Sequence, residues 1–289
     1  MLAIYTPTFN REKELHSLYK SLLSQSNKKF FWLVVDDGSS DNTEKIVRKW
    51  QSDKKIDIEY LKKENGGKHT ALNLALDRVD NYWNICVDSD DWLLDSEVVE
   101  RIHQDINNCD NESIVSIIYP YKFDHSTFEI KNREKVIVDD VNLRHKKSNQ
   151  LEFSIVSKPQ AYKDIRFPVY EGEKFMSEGA IETPKLFKGK RIYINEPIVE
   201  GRYLQDGLTE NIVKLWRKNP KGYYYVRNLW AEFYKYKKSY HKAIKPLGQI
   251  VAFNLDGGYP WLKEIDNKIL GILSIPFGII YWLKKFKDV

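Results

Sequence analysis

The chain has 289 residues, 42% hydrophobic and 30% charged, proportions of a globular protein with room for one large core, or for a domain and a tail. Two cysteines, Cys86 and Cys109, without metal-type spacing, exclude a disulfide framework and point to a reducing compartment. The net charge of +5 is mild and uneven: residues 212–250 carry ten Lys/Arg against one acid, Glu232, so the totals of 46 basic and 41 acidic residues leave the remainder at −4. That excludes a generally basic protein and predicts an anionic partner for one C-terminal segment.

Residues 2–6 form a short apolar run, read as a strand. No basic region precedes it, so no signal peptide is expected. Leu15, Leu18, Leu22 and Leu23 recur at helical spacing within 11–25. Residues 30–35 read as a second strand. Asp41-Asn42-Thr43-Glu44 has the form of a capping box and opens a helix through Trp50. Strands follow at 56–61, 82–87 and 113–119, and helices at 70–79 and 95–107. This alternation predicts a parallel sheet with helices on both faces. Residues 120–150 are polar and strand-like without a clear register. A helix is expected over 173–187, a strand over 191–199, and a mainly helical, aromatic chain from Thr209 onward.

In an open α/β sheet, ligands bind outside the carboxyl ends of the strands. Four polar clusters land on that edge: Thr6-Pro7-Thr8-Phe9-Asn10-Arg11, Asp36-Asp37-Gly38-Ser39-Ser40-Asp41, Asn65-Gly66-Gly67-Lys68-His69 and Asp88-Ser89-Asp90-Asp91. Three carboxylates within four residues repel one another unless a cation or solvent intervenes, and oxygen-only donors suit Mg²⁺ or Mn²⁺. A solvated helix-capping turn is the competing reading of that cluster. An EF-hand is excluded, because Trp92 and Leu93 stand where it needs an oxygen ligand and a glycine. Asp37 could accept from the N–H of a base, and Gly66-Gly67 would let backbone approach a phosphate that Lys68 meets. The chain has neither Gly-x-Gly-x-x-Gly nor a Gly-Lys-Ser/Thr loop, against a nicotinamide enzyme or a P-loop NTPase.

In order and spacing, Tyr5-Thr6-Pro7-Thr8-Phe9-Asn10-Arg11, Val34-Val35-Asp36-Asp37-Gly38-Ser39-Ser40-Asp41 and Val87-Asp88-Ser89-Asp90-Asp91 resemble the family 2 glycosyltransferases. The resemblance covers residues 1 to about 120 and implies an α/β, Rossmann-like GT-A nucleotide-sugar-binding domain. It further implies a nucleotide-diphosphate sugar donor, usually UDP-linked, Mn²⁺ or Mg²⁺ on the Asp-x-Asp motif, and inversion at the anomeric carbon. On this reading Pro7, Thr8, Asn10, Arg11, Asp37, Lys68, Asp88 and Ser89 hold the donor, and Asp90, Asp88 and Asp91 the metal. The resemblance thins after Asp124 and returns over 170–182. There it implies a catalytic base at Glu178, with Glu173 and Glu182 as rivals. Tyr203-Leu204-Gln205-Asp206-Gly207-Leu208-Thr209 is similar to a loop of bacterial members, and the absence of Gln-x-x-Arg-Trp implies transfer of single sugars. The alternatives are a sugar-phosphate nucleotidyltransferase, which should carry a Gly-rich loop after the first strand, and a non-catalytic binding module.

The expected organisation is a catalytic domain over 1–205, with a donor half (1–120) and an acceptor half (121–205), and a helical, basic and aromatic region over 206–289. Residues 269–283 are uncharged and are followed by Lys284, Lys285 and Lys287. Fifteen residues fall short of the ~20 that span a bilayer, and Pro276 and Gly278 are expected to break the helix. An interfacial segment over 269–287 on an anionic membrane is the expectation, with Tyr281 and Trp282 at headgroup level; a packed core or dimer helix is the competing reading. The protein would then be cytoplasmic, peripheral on the inner face of the cell membrane. Its acceptor would be a glycan or lipid-linked glycan of a surface polysaccharide, with no nucleic acid involved and the oligomeric state open.

Overall fold

The computed structural model describes the chain apart from residues 110, 124–132, 134, 140–151, 202–211 and 287–289. It divides into two units, Met1–Phe167 with Lys188–Leu204, and Pro168–Phe187 with Gln205–Val289. Residues 168–187, expected in the acceptor half of the first domain, therefore group with the C-terminal helices. In chain order the elements are β1 (Leu2–Thr8), α1 (Leu15–Leu23), β2 (Phe30–Asp36), α2 (Thr43–Asp53), β3 (Ile58–Lys62), α3 (Lys68–Val79), β4 (Trp83–Cys86), β5 (Trp92–Leu93), α4 (Val98–Asn107), β6 (Ile114–Pro120), β7 (Lys122–Phe123), β8 (Lys135–Val138), β9 (Phe153–Ser157), α5 (Gly179–Lys188), β10 (Lys190–Ile194), β11 (Val199–Gly201), α6 (Ile212–Lys218), α7 (Pro220–Tyr236), α8 (Tyr240–Asp256) and α9 (Lys268–Lys285).

The large sheet of the first unit runs β3-β2-β1-β4-β9-β6-β10-β8. The first four strands are parallel, but β9 lies antiparallel between β4 and β6, so the sheet is mixed rather than all-parallel. β9 follows the polar stretch whose register could not be read. The expected strand at 191–199 is split: β10 ends at Ile194, and beyond Pro197 the chain joins the small sheet β5-β11-β7. Proline removes a ladder donor, which suits a break there.

The elements form where their side chains can be buried. β1 and β6 are buried along their whole length, as expected of strands covered on both faces. Leu15, Leu18 and Leu22 put one face of α1 into the core, where Trp50 stacks on Tyr19 at 4.2 Å. Each fully buried leucine contributes about 2 kcal/mol. The capping box is not formed: Asp41 accepts from the Thr43 and Glu12 N–H groups, and Glu44 pairs with Lys62 instead.

The second unit is helical. Glu173 accepts the backbone N–H groups of Lys221 and Gly222, at 2.8 and 2.9 Å, and so caps α7. That use of Glu173, with Gly172 at φ +79°, explains why the helix expected from residue 173 starts at Gly179. Arg227 is buried against the rings of Trp216, Tyr223 and Trp230, so part of the basic excess serves the core. α9 runs unbroken through Pro276 and Gly278, contrary to the break expected from sequence. It turns Gly271, Ser274 and Gly278 inward: a Cβ on Gly278 would meet Val251 of α8 at 2.6 Å. Its large apolar residues face out, Ile269 being 76% exposed. Among the described residues no helix is long and apolar enough to cross a membrane.

Candidate functional site

The strand order reverses between β1 and β4, and there the ladder parts. Its last pair is Tyr5↔Cys86, two residues before Pro7, which has no N–H to offer a neighbour. The crevice that opens is the switch point at which ligands of such sheets bind. Thr8 ends β1 on one side, and the Asp88–Asp91 turn follows β4 on the other, closed by the Asp91 N–H donating to the Asp88 carbonyl. The Thr8 hydroxyl oxygen is buried without a hydrogen-bond partner among the described residues, a polar atom of the kind a bound ligand completes.

The loop after β2 is held by its own carboxylates. Asp36 accepts from the Ser39 N–H at 2.7 Å and from the Tyr60 hydroxyl at 2.5 Å. Asp37, buried, takes four donors: Lys63 Nζ and the Gly66 N–H on one oxygen, Asn65 Nδ2 and the Gly67 N–H on the other, at 2.7–3.1 Å. The two loops touch so closely that a Cβ on Gly38 would stand 2.9 Å from the Asn65 nitrogen, and Gly38 has φ +85°. Asn10, at φ +52°, likewise ties loops together. Its side-chain oxygen accepts from the Ser40 N–H at 2.8 Å, and its own N–H donates to Ser39 Oγ. Sequence reading put Asn10 and Asp37 directly on the donor. In the structure their polar groups are engaged within the protein, because the loops after β1, β2 and β3 meet here and need internal donors and acceptors.

What Asp37 arranges is the start of α3. Gly67, at φ +96°, leads into Lys68, the first helical residue, whose ammonium lies 2.8 Å from Asp88. Asp90 is pushed above the usual carboxylate range by burial and by Asp88, with Arg11 and Lys68 pulling the other way. Arg11, Lys68, Asp88 and Asp90 therefore share one electrostatic site. Ser89, buried between the carboxylates, completes the turn. Asp91 is different. It is buried, accepts the Tyr121 hydroxyl at 3.0 Å, and is pushed up to about 8 by burial and by Asp88 and Asp90. It faces inward beside Gly201 of β11, where an added Cβ would meet its oxygen at 2.9 Å. The residue expected among the metal ligands is thus in contact with Tyr121, and the chain turns into β5 immediately after it.

Among the described residues no three His, Cys, Asp or Glu side chains are gathered as a ready ligand set. Asp88 and Asp90 suit a hard divalent cation that takes its remaining oxygens from water or a diphosphate, since that charge would relieve their repulsion. Sequence reasoning missed Lys63 and Tyr121; neither belongs to a motif, and only the fold brings them to Asp37 and Asp91.

The three glutamates considered as base lie in the second unit. Glu173 caps α7, and Glu182 pairs at 2.8 Å with the fully buried Lys185. Glu178 is exposed just ahead of α5. The loop at Tyr203–Thr209 lies outside the described residues.

Comparison with known proteins places this geometry. The chain is 23% identical over 229 residues to the glycosyltransferase GlyA of Streptococcus pneumoniae, covering 74% of this chain and 32% of GlyA. It is 34% identical over 93 residues to the poly(ribitol-phosphate) β-N-acetylglucosaminyltransferase TarS of Staphylococcus aureus, 32% of this chain and 16% of TarS. The chain thus spans a third or less of these relatives. Its fold matches the crystal structure of TarS residues 1–349 with UDP-GlcNAc (TM-score 0.58, 17% identity, 98% of this chain and 91% of that one). It also matches a Pyrobaculum calidifontis mannosyltransferase with GDP-Man and Mn²⁺ (TM-score 0.51, 16% identity, 99% and 88%). The fold is thus GT-A-like, and with the glycosyl transferase family 2 model matching residues 3–162, the chain belongs to that family of glycosyltransferases.

Proposed function

We propose that the protein is an inverting transferase that moves one sugar from a UDP-sugar to a hydroxyl of a glycan or lipid-linked glycan during surface polysaccharide synthesis. The observation that carries it is the crevice between β1 and β4, where Asp88 and Asp90 meet the charges of Lys68 and Arg11 and where β1 ends in a Thr8 hydroxyl that is buried without a partner among the described residues. Thr8, with Pro7 behind it, and Ser89 would line the nucleotide. Asp37 and Asn10 would act by setting the loops. Asp88 and Asp90 would hold Mn²⁺ or Mg²⁺, which supplies positive charge for the leaving diphosphate. Lys68 and Arg11 add to that charge. Glu178 would take the proton of the acceptor hydroxyl as it attacks the anomeric carbon opposite the diphosphate, the place the family resemblance over 170–182 gives the base. UDP-GlcNAc is the first donor to try, since a neighbouring fold binds it. The test is donor hydrolysis over UDP-GlcNAc, UDP-Glc, UDP-Gal, GDP-Man and a dTDP-sugar with Mn²⁺. One UDP-sugar is expected to dominate and to be spared in EDTA. Hydrolysis of none, or full turnover in EDTA, would overturn the reading.

The outward face of α9 extends the proposal to a membrane. Ile269, Ile272, Leu273, Ile280 and Leu283 form an exposed stripe followed by Lys284 and Lys285, while the small residues of the same helix are the ones buried. A core helix would do the reverse. A stripe flanked by lysines suits the interface of an anionic bilayer on the cytoplasmic side, where a lipid-linked acceptor would be presented. In flotation the full chain is expected to rise with phosphatidylglycerol vesicles and not with phosphatidylcholine. Protein that stays down with both retires the membrane part alone.

A further inference from the structure

We infer that the helical unit carries its own binding groove for uncharged saccharide, which on the reading above would be part of the acceptor. The groove has a volume of about 680 Å³, in the ~300–1,000 Å³ range of small-molecule sites, and every residue lining it belongs to the second unit. One wall is α7, with Tyr225, Asn228 and Glu232; the other is the segment after α8, with Tyr259, Lys263 and Asp266; Tyr170 lines it as well.

The wall after α8 is built rather than loose. Asn254, fully buried, donates to the Trp261 and Lys263 carbonyls at 3.0 and 2.9 Å and accepts the Tyr224 hydroxyl at 2.7 Å. Asn228 donates to the Glu264 carbonyl at 2.6 Å, across from its own helix. Two asparagines thus hold this segment in a shape prepared for a ligand.

The lining selects the ligand. Tyr170, Tyr225 and Tyr259 supply flat apolar surface with polar tips, and among the described residues neither the Tyr170 nor the Tyr225 hydroxyl is hydrogen-bonded. Sugar rings present the matching surface, an apolar C–H face edged by hydroxyls that donate to carboxylates and accept from amides and ammonium groups. The charges give a phosphate polymer no excess of cations: Glu232 pairs with Lys235 at 2.7 Å, and Glu264 and Asp266 balance Lys221 and Lys263. Both lysines lie over rings, Lys263 at 3.8 Å from the Tyr259 centroid and Lys221 at 5.8 Å from that of Tyr170. The segment that looked basic in sequence contributes only Lys221 and its one acid, Glu232, to the charges of the groove; Lys263, Glu264 and Asp266 come from beyond it.

The test is saturation-transfer difference NMR on the full chain with chitotetraose, cellotetraose, maltotetraose and mannotetraose, with poly(ribitol phosphate) and tetralysine as the charged probes. At least one neutral tetrasaccharide is expected to bind. Tyr259→Ala and Tyr225→Ala should weaken it about tenfold, and Tyr259→Phe and Tyr225→Phe should keep it. Donor hydrolysis should be unchanged in all four variants, which also reports that they fold. Binding of no tetrasaccharide by a protein that still hydrolyses its donor overturns the groove and leaves the transferase reading standing. Tetrasaccharide binding without donor hydrolysis does the opposite. Capture of the ribitol phosphate polymer or tetralysine alone, or saccharide binding that survives both alanine variants, also overturns it.

Discussion

Two pairs of aspartates follow strands that flank β1 on the same edge of one sheet, and they live in opposite conditions. Asp36 and Asp37 are well supplied from within the protein: six donors reach their four oxygens, four of them on Asp37. Asp88 and Asp90 have Lys68 and Arg11 nearby and each other's charge, and burial is the largest influence lifting Asp90. A carboxylate with its full set of donors shapes a loop, while carboxylates left facing one another are a site for added positive charge.

The comparison breaks first at Asp90. If these carboxylates serve a cation, Asp90→Ala should lower turnover by ~10³-fold while the melting temperature hardly changes, since losing the bond from its own backbone N–H is offset by relief of the repulsion with Asp88. Turnover within a few-fold of the unchanged chain would refute the assignment. The base should follow next: Glu178→Gln is expected to cost ~10²–10⁴-fold in kcat with donor binding retained. Glu173→Gln should act instead on stability through the α7 cap, and Glu182→Gln through its ion pair with the buried Lys185. A Glu173 or Glu182 variant that folds normally and is inactive would move the role to that residue.

Asp37→Asn should show the reverse pattern to Asp90→Ala. An amide NH₂ would confront two of the four donors, and each buried group left unpaired costs about 1–3 kcal/mol. The expected result is a melting temperature lower by several degrees and a raised KM for the donor, as Gly66, Gly67 and Lys68 lose their anchor. An unchanged melting temperature would show that the carboxylate does not hold the loop.

The donor half was legible because strand period, glycine position and carboxylate spacing are local. β1 to β4 and the four clusters at their ends follow from alternation and turn chemistry alone. β9 was not legible: its antiparallel place between β4 and β6 is set by pairing across the chain, and the polar stretch before it carries no periodicity. Nor could composition show that Asp37 and Asn10 face protein while Asp90 does not, since their partners Lys63, Asn65, Ser39 and Ser40 come from other loops. At α9 the expected break is absent, because packing on α8 holds the helix through Pro276.

The smallest expected effect is the most specific to this comparison. Asp91 sits beside the unsaturated pair yet is tied to Tyr121, and it keeps its proton to about 8 because of burial first, then Asp88 and Asp90. Unfolded, it ionises near pH 4. Its raised value therefore contributes stability that is whole below pH 4, shrinks as pH rises, and is gone above about 8. Asn cannot ionise and still accepts the Tyr121 hydroxyl. Asp91→Asn should therefore melt with the unchanged chain at pH 4 and above it at pH 8, by a margin that grows between. Mn²⁺ at Asp88 and Asp90 would cancel the contribution of those neighbours but not that of burial. Adding it should narrow the margin at pH 8 without closing it, in a melting series at both pH values with Mn²⁺ or EDTA. A margin independent of pH would place the strain elsewhere than in the Asp91 charge. One that ignores Mn²⁺ would mean that no cation sits beside it.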